Sequence, residues 1–169
     1  MRLTIFALAG ACLAACTPAV GQRPVVRIGP AESPIAASVA VAPAAGLVYI
    51  SGSVPDAVNP AAPAGSVERY GDTETQTRSV LNKLDAALGA HGLSLADVVM
   101  MRVFLVAPAG QQRMDFAGMM RAYRERFATP QQPNKPARST MQVSGLVDPG
   151  WLVEIEVTAA HDPRRRPAR

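Results

Sequence analysis

The chain has 169 residues, of which 49% are hydrophobic and 18% are charged, a composition that suits one folded domain with short extensions. Two cysteines are too few for a disulfide framework or an all-cysteine zinc site. The only histidines, His91 and His161, lie far apart in the sequence and form no ligand cluster by spacing. The composition therefore argues against a zinc enzyme.

The net charge of +4 is concentrated at the two ends of the chain. Between Cys16 and His161 there are 12 Lys or Arg residues and 12 Asp or Glu residues, so this stretch is neutral. The surplus comes from Arg2 and from residues 161–169, which we interpret as a basic, disordered tail. A neutral body is not typical of a nucleic-acid-binding protein, and we expect no nucleic-acid partner.

The first 16 residues are typical of a secretory signal peptide. They contain one positive charge and then an apolar run that ends in small residues and is too short to span a membrane as a helix. The ending Leu13-Ala14-Ala15-Cys16 resembles the bacterial lipobox, in which the cysteine is acylated, so Cys16 is the candidate lipidation site. The alternatives are cleavage of an ordinary signal peptide nearby and a wrongly assigned start codon.

Residues 17–24 are predicted to form a short tether between the lipid and the domain. Thr17 follows the candidate cysteine, as in Gram-negative lipoproteins of the outer membrane. We therefore expect the protein on the periplasmic side of the outer membrane, held by its N-terminal lipid alone. Without acylation it would be a soluble periplasmic protein.

Residues 25–160 are predicted to form one α+β domain. The predicted strands are 25–28, 36–42, 47–51, 98–106, 137–143 and 152–159, and the predicted helices are 72–91 and 114–127. The second and third strands are expected to form a hairpin, and the last two strands to pair around a turn at 148–150. The order of elements favours a mixed six-stranded sheet with two helices on one face.

The two helices are predicted from their ends and their apolar spacing. Asp72 suits the N-cap of the first helix, and Gly92 suits the left-handed position after its end. In the second helix, methionine and aromatic side chains recur at helical spacing, which is typical of a core face: Phe116, Met119, Met120, Tyr123 and Phe127.

Few residues suggest chemistry, since the chain has no phosphate-binding loop, nucleophile elbow or paired-histidine motif. Arg138 begins a predicted strand, where its guanidinium could bind a carboxylate through two parallel hydrogen bonds. The predicted strand pairing would bring Glu154 near it, to hold a water or pass a proton. On residue types alone, a structural ion pair between the two is the simpler interpretation.

The surrounding motifs add a family resemblance. Two segments together resemble the C-terminal signature of the RidA/YjgF family of reactive-intermediate deaminases: Pro136-Ala137-Arg138-Ser139-Thr140 and Val153-Glu154-Ile155-Glu156. Residues 70–77, residues 92–99 and Ile50-Ser51-Gly52 resemble further family segments, in the family's order. The resemblance covers about residues 25–160, nearly all of the predicted mature chain.

This resemblance implies a homotrimer with ligand clefts between its subunits. It implies hydrolysis of 2-imino or enamine acids to 2-oxo acids and ammonia, without a cofactor. In such a cleft Arg138 would bind the substrate carboxylate and Glu154 would position the hydrolytic water. The backbone at Thr140 would help to hold the ligand, and Ser51 matches a site serine of the family.

Two positions depart from the family pattern. Ile35 stands at the family's site tyrosine, and Met120 stands where active members commonly have asparagine. The resemblance then implies a cleft that keeps its carboxylate anchor but has a more apolar wall. Two other functions remain open: a trimeric protein that binds a small carboxylate without turning it over, and a structural or chaperone-like protein with a vestigial cleft.

Overall fold

The computed structural model describes residues 24–161. The strands are β1 (Val25–Ile28), β2 (Ser38–Val41), β3 (Gly46–Ser53), β4 (Val98–Val106), β5 (Ala137–Val143) and β6 (Val153–His161). The helices are α1 (Val67–Tyr70), α2 (Thr73–Gly89) and α3 (Phe116–Arg124), and a 3-10 turn at Leu95–Asp97 precedes β4. The α+β class, the six strands and the two long helices agree with the prediction from sequence.

The ends of α2 follow the local chemistry expected from the sequence. The carboxylate of Asp72 accepts a hydrogen bond from the Thr75 backbone N–H at 2.8 Å, which satisfies one free donor of the first turn. Gly92 has φ +69°, the left-handed conformation that terminates the helical segment. The helix itself ends at Gly89, slightly before the predicted end, and α3 is also shorter than predicted at both ends.

The strands form two sheets instead of the predicted single sheet of six. β1 and β2 pair antiparallel with each other, from Val25 opposite Val41 to Ile28 opposite Ser38. The predicted hairpin of β2 with β3 is therefore wrong. Past this ladder the Ala37 N–H donates to the Ile28 carbonyl at 2.8 Å, which extends the pairing of β2 with β1, whereas β3 pairs with β6 in the larger sheet.

The larger sheet has four strands in the order β3-β6-β4-β5. β4 lies between β5, which it pairs in parallel, and β6, which it pairs antiparallel. The predicted direct pairing of β5 with β6 is wrong. The turn at 148–150 does exist, with the Trp151 N–H donating to the Asp148 carbonyl at 3.0 Å, but it joins strands that are not neighbours.

The four-stranded sheet has two unlike faces. On the helix face, alternate residues of β4 and β6 pack with α2 and α3 into one hydrophobic core: Met101, Val103, Leu105, Val153, Ile155 and Val157. The opposite face, called the open face below, carries exposed Leu47, Tyr49 and Met141 and an ion pair between Arg102 and Glu156. The core therefore lies on one side of this sheet.

Several predictions concern residues outside 24–161. The signal peptide, Cys16, nearly all of the tether and residues 162–169 of the tail lie beyond the described part of the chain. β6 includes His161, one position past the predicted end of the domain, because this residue pairs with Gly46 of β3. Within residues 24–161, no helix combines the length and hydropathy needed to cross a lipid bilayer.

Candidate functional site

Arg138 is a half-buried cation on the helix face, near the start of edge strand β5. Its Nη2 lies 3.2 Å from the Met120 sulfur and its Nη1 lies 4.0 Å from the Met119 sulfur. No carboxylate of residues 24–161 forms an ion pair with it. The interpretation of Arg138 and Glu154 as a structural ion pair is therefore wrong.

Aromatic rings on α3 hold the Arg138 guanidinium in place. Its Cζ lies 4.3 Å from the centre of the Tyr123 ring and 5.9 Å from the centre of the Phe116 ring, both within the range of cation–π attraction. Burial lowers the pKa of Arg138, with Tyr123 opposing and Arg124 adding to that shift. An arginine still carries its charge at neutral pH under such a shift, so this site presents a fixed and poorly solvated positive charge.

Tyr123 is itself held through its hydroxyl group and through its ring. Its hydroxyl donates to the Pro34 carbonyl at 3.0 Å, and its ring stacks on Phe127 with centroids 4.7 Å apart. Burial raises the pKa of Tyr123 to about 12, with the Arg138 charge opposing the shift, so the ring is neutral at physiological pH. Tyr123 therefore links the loop before β2 to the guanidinium of Arg138.

Thr140 follows Arg138 by two positions in β5 and therefore lies on the same face of the sheet. Its hydroxyl oxygen is buried and has no hydrogen-bond partner within residues 24–161. An unsatisfied buried hydroxyl costs about 1–3 kcal/mol. Arg138 and Thr140 thus place a cation and a free hydroxyl on one side of β5; they are called the helix-face pair below.

Glu154 and Ser51 occupy the open face instead. The pairing of β3 with β6 is irregular between Ile50 and Ser53. The Glu154 carboxylate lies against Gly52 there, in the space that a Cβ atom on Gly52 would occupy. Ser51 is exposed beside it and also lines a shallow cavity of about 230 Å³ next to the Arg102–Glu156 ion pair. Glu154 and Ser51 are called the open-face pair below.

The sheet separates the two pairs within one protomer. In β4, Met101 is the partner of Arg138 and Phe104 is the partner of Glu154. Because Met101 and Phe104 are an odd number of residues apart, their side chains and those of their partners point to opposite faces. The predicted strand pairing required Arg138 and Glu154 to lie close enough to share one ligand. Within one protomer they do not, because they lie on opposite faces of the sheet.

Sequence reasoning missed two residues of this site. Phe116 and Tyr123 were assigned to the core from their helical spacing, and Tyr123 is indeed 1% exposed. The same spacing also places both rings on one side of α3, beside Arg138. Ile35, at the family's tyrosine position, packs against the core, and Met120 contacts the guanidinium directly.

No group of His, Cys, Asp or Glu side chains within residues 24–161 has the geometry of a metal site.

A family model described as endoribonuclease L-PSP matches residues 30–161, nearly all of the described chain. The chain belongs to this family, the RidA/YjgF family. The resemblance noted in the sequence is confirmed. A relative from Acinetobacter baylyi, the 3-aminoacrylate deaminase RutC, is 35% identical over 126 residues, which cover 75% of this chain and 88% of the relative. A RutC family protein of Pyrococcus horikoshii is 36% identical over 116 residues, which cover 69% of this chain and 80% of that protein.

Two solved bacterial structures share the fold. YyfB of Yersinia pestis, a Rid-family protein of unknown function, superimposes with a TM-score of 0.61 at 25% identity, covering 81% of this chain and 98% of that one. TdcF of Escherichia coli, solved with bound serine, gives a TM-score of 0.53 at 25% identity and covers 81% of this chain and 99% of its own. At the level of the family, membership supports imine or enamine deaminase chemistry and the binding of a small molecule.

Proposed function

We propose that this protein hydrolyses 2-imino or enamine acids to 2-oxo acids and ammonia. The observation that carries the proposal is Arg138, a half-buried guanidinium with no carboxylate partner among residues 24–161. A buried charge without a partner is costly, and a planar guanidinium is suited to two parallel hydrogen bonds with a carboxylate. The 3-aminoacrylate deaminase among the relatives supports the reaction type.

The reaction needs one anchor and one group that handles protons. With the substrate carboxylate on Arg138, water adds to the imine carbon, and Glu154 accepts the proton that the water loses. The same carboxyl group then returns that proton to the nitrogen, which gives a carbinolamine. The carboxylate next accepts the carbinolamine hydroxyl proton and passes it to the nitrogen as the C–N bond breaks, so that ammonia departs and a 2-oxo acid remains. An enamine acid enters this sequence after it tautomerises to the imine. Such acid–base assistance contributes about 10²–10⁴-fold. The unsatisfied Thr140 hydroxyl, its backbone and Ser51 would hold the ligand, and no cofactor enters these steps.

The cleft in this proposal lies between protomers of a homotrimer. Arg138 of one protomer would meet Glu154 of the partner subunit, since one sheet cannot present both to a single ligand. The exposed apolar side chains of the open face support an assembly, because Tyr49 is 73% exposed and Leu47 45% exposed. Light scattering tests the assembly directly, and a monomer in solution would contradict it.

The test of the activity compares the wild type with Arg138→Ala and Arg138→Lys. 2-Iminopropanoate is generated in the assay, and oxo-acid release is measured above the spontaneous rate in buffer. Because the guanidinium is the proposed anchor, we expect kcat/KM to fall about 10²-fold or more in Arg138→Ala, with little recovery in Arg138→Lys, which lacks the planar fork. The matched control is Arg113→Ala, which removes an exposed arginine and should behave as wild type. Equal rates for wild type and Arg138→Ala would refute the proposed activity.

A binding protein without turnover is the second candidate. The contact of the Met120 sulfur with Arg138 favours it, because a thioether stands where active family members commonly carry a polar amide. In that case a 2-oxo acid would bind in a saturable, Arg138-dependent manner and no imine would be hydrolysed. Absence of any carboxylate binding would refute both candidates and leave a structural or chaperone-like role.

For location we propose a lipoprotein on the periplasmic side of the outer membrane, acylated at Cys16. The support is the lipobox-like ending of the leader. In cells fed an alkyne-tagged fatty acid, the wild type should carry the label and enter the membrane fraction. Cys16→Ser should lose the label, whereas Cys12→Ser should keep it. Label retained in Cys16→Ser would overturn the assignment.

A further inference from the structure

We infer that the Arg138 site selects carboxylates with an extended apolar side chain, and that Phe116 and Met120 determine this specificity. The inference rests on the proposed function and adds its substrate class: imino acids related to leucine or phenylalanine, in preference to 2-iminopropanoate. It follows from the kind of side chain that surrounds the anchor.

Within residues 24–161, four side chains lie against the guanidinium, and each is apolar or aromatic. Met119, Met120 and Tyr123 approach through sulfur atoms or a ring face, and Phe116 completes the set. Thioethers are weak acceptors, so they leave the N–H donors available for a carboxylate. The side chain of a ligand anchored here would lie beside hydrocarbon and sulfur.

Phe116 distinguishes a ligand-binding surface from a simple core. Met119 and Tyr123 are 1% exposed and Met120 is 8% exposed, as core residues would be, whereas Phe116 is 43% exposed although it belongs to the same helix face. Its ring centre lies 5.9 Å from the Arg138 Cζ, within the span of a small ligand bound to that guanidinium. The exposed ring is therefore available to the substituent of an anchored acid.

The length of the substituent decides whether it reaches that ring. The methyl group of 2-iminopropanoate ends one bond beyond the imine carbon, close to the carboxylate. An isobutyl or benzyl group extends further and can cover the exposed Phe116 ring, next to the Met120 sulfur that contacts the anchor. A single methylene in an apolar pocket is worth about 10-fold or more in kcat/KM, so the preference should be large enough to measure.

The experiment measures kcat/KM for imino acids that an amino acid oxidase produces in the assay from leucine, phenylalanine or alanine. For the wild type we expect the leucine- and phenylalanine-derived imino acids to exceed the alanine-derived one by about 10-fold or more. Phe116→Ala and Met120→Asn should each bring that ratio towards 1. Phe116→Leu should give an intermediate ratio, and it replaces Phe116→Ala as the test if the alanine variant folds poorly.

The control is Val58→Ala, which truncates an exposed apolar side chain of the loop after β3 and should keep the wild-type ratio. A wild-type ratio of 1 or less, or a ratio unchanged in both Phe116 variants, would overturn the inference while leaving the deaminase activity intact.

If the wild type hydrolyses no imine at all, the proposed function fails and the inference is tested by binding. Calorimetry would then compare 4-methyl-2-oxopentanoate with pyruvate. Tighter binding of the branched acid, lost in Phe116→Ala, supports the specificity, and equal affinities or no binding overturn it.

Discussion

The helix-face pair and the open-face pair lie on the same four-stranded sheet but in contrasting surroundings. Arg138 is half-buried among sulfur atoms and aromatic rings, and no carboxylate of residues 24–161 forms an ion pair with it. Glu154 lies on the other face, against the backbone of Gly52. In the proposed mechanism each pair supplies half of what imine hydrolysis needs: one the anion anchor, the other the proton-handling carboxylate. The proposal therefore requires two copies of the chain to complete a site.

The strongest test of that conclusion mixes two inactive variants. Arg138→Ala and Glu154→Gln should each lose most activity, since one lacks the anchor and the other lacks the base. When the two are denatured and refolded together, a trimer with sites between protomers contains some sites with both wild-type residues. Random mixing gives about one quarter of the wild-type sites.

Refolding each variant alone is the control for this experiment, and the oxo-acid assay is the measurement. Mixed trimers that stay as inactive as either variant would show that the two residues do not act across a protomer boundary.

A second test disturbs the open-face pair without touching its charge. In Gly52→Ala the new Cβ collides with the Glu154 carboxylate and displaces it. We expect kcat/KM to fall at least about 10-fold, with a smaller change in the binding of a 2-oxo acid, because displacement by about 1 Å costs catalysis heavily. Gly145→Ala is the matched control, since no atom lies within 4 Å of the added Cβ. Wild-type activity in Gly52→Ala would remove Glu154 from the mechanism.

Tyr123, whose ring contacts Arg138 of the helix-face pair, should make the stability of the protein depend on pH. Burial raises its pKa to about 12, so the folded protein retains a proton that the unfolded chain loses near pH 10. The folded state then binds more protons in this range, and its stability falls as the pH rises through 10 towards 12. From pH 9 to 11 this one group should lower the free energy of unfolding by about 1 kcal/mol.

Urea denaturation of the wild type and Tyr123→Phe at both pH values measures that difference. The variant keeps the ring against Arg138 but lacks the titrating hydroxyl, so its stability should fall less across the range. Parallel losses in the two proteins would mean that Tyr123 does not control the alkaline transition.

The smallest expected effect concerns the loop that Tyr123 contacts. The Lys135 Nζ donates to the carbonyls of Pro30, Ala31 and Ser33 at 2.8–3.1 Å, next to the Pro34 carbonyl that accepts from Tyr123. Lys135→Ala should cost about 1 kcal/mol of unfolding free energy. It should also raise KM a few-fold, since the loop then supports the ring less firmly.

The control for a lost surface charge is Lys83→Ala, which removes an ion pair with Asp56 at 2.8 Å. It should change neither the free energy of unfolding nor KM appreciably. Identical behaviour of the two lysine variants would exclude a supporting role for Lys135.

Local sequence patterns predicted most elements but not how the strands associate. β1, β4 and β5 begin and end where predicted, because runs of apolar or β-branched residues between turn signals mark strands well. The pairing was wrong for β2 and for β5, because register and neighbours depend on contacts between residues distant in sequence. A helix between two strands is typical of a parallel pair such as β4–β5, but the short turn at 148–150 also favoured a pairing of β5 with β6, and the prediction followed the turn.

The candidate site was predictable as a set of residues and not as a geometry. Arg138 and Glu154 follow from the family motif, but the motif does not reveal that the sheet separates them. The aromatic support of Arg138 was concealed because Tyr123 serves both as a core residue and as a cation–π partner. A periodic stripe indicates which residues lie together on a helix, but not which side chain of another element they meet.

The parallel register of β5 against β4 determines which side of the sheet receives the positive charge. A shift of one position along this edge strand would carry Arg138 to the side now occupied by Glu154, without any change of sequence. Two hydrogen bonds act against such slippage. The Ala36 N–H donates to the Pro136 carbonyl at 3.0 Å, and the side-chain amide of Asn134 donates to the Ala96 carbonyl at 3.0 Å. Insertions or deletions in residues 128–136 should therefore abolish activity more readily than most substitutions in the same segment.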